Sequence, residues 1–109
     1  MIASRDLKIR VGREERELHV RIFRPEAVGG IWTCAYEIDW PEGVKRSQAT
    51  GLDSIQTLTS VFQMIGEELY TSSYHKAGAF IFSEGLTGYG FPVPPHLRPA
   101  LIGHDAEFL

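Results

Sequence analysis

The chain has 109 residues, 43% of them hydrophobic and 23% charged, with a formal net charge of −3. That length supports one domain with one core, and the composition excludes wholesale disorder. The acidic balance argues against nucleic acid as a partner, and the single cysteine excludes an intramolecular disulfide or a cysteine-rich zinc site.

Residues 1–12 alternate charged and apolar positions instead of forming the apolar core of an export signal. No run approaches the ~20 apolar residues that span a bilayer. With one thiol, this places the protein in a reducing, cytoplasmic setting. Leu7, Ile9 and Val11 alternate with Lys8 and Arg10 as a first half-buried strand. After the polar turn at residues 12–16, Leu18, Val20 and Ile22 alternate with His19, Arg21 and Phe23 as a second. Pro25 ends it, and Gly29-Gly30 reverses the chain. Trp32, Cys34, Tyr36, Ile38 and Trp40 mark one face of a third strand, with Thr33, Ala35, Glu37 and Asp39 on the other. Pro41-Glu42-Gly43 leads into a more polar fourth strand near residues 44–50. Polar residues on both of its faces read as an edge strand, and its inward face is not set by the pattern.

Residues 54–72 form the one convincing helix. Ile55, Leu58, Phe62, Ile65 and Leu69 step by three and four along a single stripe. Asp53 with Gln56 three residues later is a capping-box start signal. Gly66 inside the helix signals another element packed close. Ala79–Phe82 reads as a short fifth strand, Gly85–Pro92 as a glycine-punctuated loop bearing two aromatics, and Val93-Pro94-Pro95 as extended. One helical turn is expected within residues 96–103, and the last six residues as a loose end. The expected fold is α+β: a four-stranded antiparallel meander in order 1-2-3-4 with the helix on one face, a two-layer sandwich. Residues 1–92 form the domain and residues 93–109 a proline-containing tail. The expected core is Leu7, Ile9, Val20, Ile22, Tyr36, Ile38, Leu58, Phe62 and Ile65.

No catalytic constellation stands out. Cys34 shares the inward parity of Trp32 and Tyr36, whereas His19 has outward parity, so the two do not form a thiol–imidazole pair. His19, His75, His96 and His104 lack the helical spacing of paired metal ligands, so no metal ligand is assigned. The Gly85–Gly90 run lacks the strand-before, helix-after context of a phosphate loop. Glu67 and Glu68 diverge by about 100° on the helix and form no carboxylate dyad. No cofactor is expected, and catalysis is the weaker expectation.

The outward sheet face is the more informative surface. If the first two strands pair Leu7 with Ile22, then Lys8 lies across from Arg21 and Arg10 across from His19, with Glu37 and Asp39 close enough to offset them. Lys8, Arg10, His19 and Arg21 then form a basic patch toward an acidic partner, with Phe23 on the same face. Tyr89 and Phe91 add an aromatic loop of interface-favoured residues. These seven are the expected binding residues.

Three blocks carry a resemblance: Val20–Pro25, Trp32–Ile38 and Gly51-Leu52-Asp53-Ser54-Ile55-Gln56-Thr57-Leu58, completed by Gly90-Phe91-Pro92. Together they resemble a family of small bacterial proteins carried as a domain of unknown function, over about residues 3–92. The resemblance implies the sheet-then-helix architecture and supplies no activity. Size and layout are also similar to toxin-immunity proteins, an analogy of fold alone. The leading functional expectation is a protein-interaction module, self-associating as a homodimer or immunity-like. The alternative is a small-molecule pocket or small enzyme site between the helix and the Gly85–Pro92 loop, lined by Trp32, Tyr36 and Trp40.

Overall fold

The computed structural model describes residues 1–82 and 87–109. Its strands are β1 (Ala3–Val11), β2 (Glu14–Ile22), β3 (Glu26–Val28), β4 (Ile31–Trp40), β5 (Gly43–Gly51) and β6 (Phe80–Ile81). The helices are α1 (Ser54–Thr71), α2 (Ser73–Lys76) and α3 (Gly103–Phe108), with a 3-10 turn at Pro95–Ala100. The fold class is α+β, an antiparallel sheet of six strands with one long helix.

The sheet runs β3-β4-β2-β1-β6, with β5 on β4. The four long strands therefore keep the expected meander order. β6 is the short fifth strand expected within Ala79–Phe82, and β3 is an addition: it pairs Glu26–Val28 with Thr33–Ile31, continuing the edge of β4 that β2 occupies through Ile22 and Tyr36. Pro25 separates the two segments because it has no N–H for the ladder. Gly29 and Gly30 turn the chain between β3 and β4, both with positive φ, 61° and 81°.

Two units partition the chain. The first comprises Met1–Asp6 and Glu17–Val61, and the second Leu7–Arg16 and Phe62–Leu109. In the first, Leu18, Val20, Ile22, Cys34, Tyr36 and Ile38 are buried, all on one sheet face. Ala49 is buried on the same face through its pairing with Cys34, which sets the inward face of β5 as Ser47 and Ala49. Cys34 Sγ donates to the Phe23 carbonyl at 3.2 Å. Asp53 caps α1 by accepting from Gln56 N at 2.7 Å, as its spacing predicts, and Gln56 Oε1 reaches back to accept from Leu52 N at 2.7 Å, one residue before the cap.

In the second unit β1 pairs Ile9 with Phe80. A side chain on Gly66 would overlap the Pro92 carbonyl, the close approach that keeps this helical position glycine. The rings of Tyr70 and Phe80 stand 4.7 and 4.6 Å from that of Tyr89.

Three expectations need correction. The buried face of α1 is Thr57, Val61, Ile65, Leu69 and Tyr70, while Leu58 and Phe62 are half-buried and Ile55 is 75% exposed. The stripe is rotated by about one residue, because Thr57 turns inward with its hydroxyl satisfied by the Asp53 carbonyl at 2.7 Å. Leu7 is half-buried where a core position was expected. The last six residues are also not loose: all but Leu109 belong to α3, and Asp105 within it is buried.

Candidate interaction surface on the outward sheet face

The residues opposite the buried face form a row of linked charges. Register places Arg21 across from Glu37 and Glu37 across from Arg46, on three successive strands. Arg21 grips Asp39 with two nitrogens, at 2.6 and 2.9 Å, and Glu37 through Nε at 3.3 Å. Arg46 reaches the other Glu37 oxygen at 2.9 Å. The Arg46 hydrogen bond, then Arg21, holds Glu37 below the usual carboxylate range, and Arg21 does the same to Asp39. The bond to Asp39 raises the Arg21 pKa further. His19 Nδ1 meets Asp6 at 2.6 Å and its Nε2 lies 3.4 Å from Glu17, and the Asp6 bond raises its pKa.

The like-charge facing of Arg10 with His19 and of Lys8 with Arg21 therefore does not occur. Arg10 instead lies 3.8 Å from Glu15, and His19 faces Asp6. A two-residue turn at Gly12-Arg13 sets this tighter pairing, which the hydrophobic pattern alone does not reveal. His19 and Arg21 are neutralised within their own sheet. Lys8 is exposed on β1 and pairs by backbone position with Ile81.

Phe23 holds its expected outward place, half-buried, with the Arg46 guanidinium 4.7 Å above its ring centroid. Beside it opens a groove of about 630 Å³ whose floor includes the small side chains of Thr33 and Ala35. Phe23, Arg24, Glu26, Val28, Arg46 and Gln48 also line it. Val28 is 76% exposed, and Arg24 is exposed and enters no ion pair among the described residues. Arg24 was missed because it lies in the connection between β2 and β3, and Arg46 because β5 carries no alternation that marks it. The signal available was Phe23, an outward aromatic next to an arginine.

The structure does not bring Tyr89 and Phe91 to this surface. They are 2% and 6% exposed in the second unit, where an aromatic loop was expected to face a partner. Asp105 explains the burial of Tyr89: its carboxylate accepts from Tyr89 N at 2.7 Å and from Gly90 N at 2.9 Å. The alternative pocket beside the Gly85–Pro92 loop falls partly outside the described residues, which omit 83–86. Of its expected lining, Tyr36 is buried on the inner sheet face, and Trp32 and Trp40 are half-buried. Among the described residues no cluster of His, Cys, Asp and Glu is arranged to hold a metal ion. No described helix is long and apolar enough to cross a membrane.

One buried sheet face and one charged, grooved face define a small α+β sheet domain with an open outward surface. The chain belongs to the family described as domain of unknown function DUF6968, which matches residues 3–93. Comparison with curated proteins and with solved structures returns no match.

Proposed function

We propose that this domain is a protein-interaction module of a bacterial cytoplasm that docks an acidic, apolar segment of a partner in the groove beside Phe23. The observation that carries the reading is the pairing of an aromatic floor with an uncommitted cation. Arg46 is tied to Glu37 and stacked on Phe23, so it supplies a fixed wall. Arg24 is free among the described residues to meet an incoming carboxylate. The small side chains of Thr33 and Ala35 leave room for an apolar side chain between them. Aromatic and arginine side chains are the residues that anchor interface cores. A reducing compartment fits the single buried thiol of Cys34.

The test is amide chemical-shift mapping with a short peptide alternating leucine and glutamate, against the same peptide with lysine in place of glutamate. The acidic peptide should shift Phe23, Arg24, Thr33 and Gln48, and the lysine peptide should not. Arg24→Glu should reverse that preference. Equal shifts with both peptides, or shifts confined elsewhere, would reject the groove as the docking site.

A further inference from the structure

The groove ends at β5, and the far side of that strand pairs with no strand among the described residues. Phe23 N donates to Ala35 O at 2.9 Å, so odd-numbered residues of β4 turn their backbone groups toward β2 and even-numbered ones toward β5. Because Tyr36 pairs with Ser47, the odd-numbered residues of β5 answer them. The N–H and C=O groups of Val44, Arg46, Gln48 and Thr50 then face away from the sheet. Among the described residues β5 pairs only with β4.

This edge carries two charged side chains, Lys45 and Arg46, but lacks the other devices that normally blunt one. Its register with β4 is unbroken from Trp32–Gly51 to Trp40–Gly43, so it has no bulge, and it contains no proline. Arg46 is committed to Glu37 and Phe23 on its own face.

We infer that β5 pairs antiparallel with β5 of a second copy about a two-fold axis at Ser47, joining the two grooves into one continuous surface. This rests on the reading of the outward face as a docking surface. The axis at Ser47 uses the whole strand and opposes no like charges. Val44 meets the partner's Thr50, Lys45 meets the partner's Ala49, and Arg46 meets the partner's Gln48. The four outward-facing residues supply about eight backbone hydrogen bonds across the seam. An axis at Arg46 would set that cation against its own copy, which is destabilising. An axis at Gln48 shortens the overlap, and an axis between residues opposes backbone groups that point different ways. Arg46 and Gln48 both line the groove, so the seam makes each copy a wall of the other's site.

Sedimentation equilibrium on three chains decides this. The native chain should move from 12.2 kDa toward twice that mass between micromolar and millimolar concentration. Gln48→Arg, which opposes two arginine pairs, should weaken dimerisation about tenfold, and Gln48→Glu, which creates two opposite-charge pairs, should tighten it about tenfold. Circular dichroism should stay native for both, because Gln48 is exposed. A mass of 12.2 kDa for all three chains, or one dissociation constant shared by all three, would overturn the dimer. If the acidic peptide still shifts Arg24 in that case, the docking surface stands without the dimer. If the dimer forms and the peptide does not bind, the dimer stands and the peptide reading falls.

Discussion

Tyr70 Oη donates to the buried carboxylate of Asp105 at 2.5 Å, joining the last turns of α1 to the C-terminal helix α3. The same carboxylate accepts from the Tyr89 and Gly90 amides, so three donors depend on one side chain. Asp105→Ala leaves all three without their partner and should destabilise the protein by about 2–5 kcal/mol, whereas Tyr70→Phe should cost about 1–3 kcal/mol. Urea unfolding of both variants measures this, and a loss under about 0.5 kcal/mol for Asp105→Ala would show that the network contributes nothing net.

Helix α1 docks by Val61, Ile65 and Leu69, each fully buried. Leu69→Ala should therefore cost about 2–5 kcal/mol through lost transfer energy and the cavity it leaves. Ile55→Ala, on the exposed side, should fall within about 0.5 kcal/mol of the native chain. Thermal or urea denaturation that ranked the two in reverse order would refute the orientation of the helix.

The two histidines with resolved shifts should titrate in opposite directions from 6.5. Asp6 raises His19, so its contribution to stability is complete below 6.5 and lost as pH rises through its folded value. Burial lowers His75, whose Nδ1 is hydrogen-bonded to the Tyr89 hydroxyl, so its contribution is complete above 6.5 and lost as pH falls through its folded value. Imidazole proton NMR across pH 4 to 9 reads both, and a His75 titration above that of His19 would contradict the structure.

Asp39 and Glu37 have folded pKa values below their unfolded ones, so their stabilising effect is present above the unfolded values and lost as pH falls. Arg21→Met should flatten the acid limb of the stability profile. An acid limb unchanged in that variant would mean that the ion pairs on the outward face contribute little to folding.

Cys34 is fully buried, its thiol pushed up by that burial and donating to the Phe23 carbonyl. Native protein should react with a thiol reagent far more slowly than protein in denaturant. Comparable rates in the two states would place Cys34 at the surface.

Much of the fold is legible in the chain because two-residue alternation in β1, β2 and β4 directly records which face meets the core. The helix start is equally legible, since Asp53 and Gln56 act on each other and on their nearest amides. The rotation of the helix is not: Thr57 satisfies its hydroxyl on its own backbone, and a polar residue at a buried position misleads a pattern built on apolar ones. The pairing of β1 with β2 depends on the geometry of the Gly12-Arg13 turn, which hydrophobic alternation does not encode. The outward site was legible in Phe23 and Arg21 only. Arg24 enters it from the β2–β3 connection and Arg46 through its cross-strand neighbour Glu37, and the burial of Tyr89 depends on Asp105, sixteen residues farther along the chain.

Asp105 lies beyond residue 93, where the match to the family ends. The matched region thus ends short of a carboxylate to which Tyr70, Tyr89 and Gly90 all donate. A copy trimmed to the matched region would keep every residue by which the family is recognised and lose the carboxylate that seats Tyr89 and Gly90.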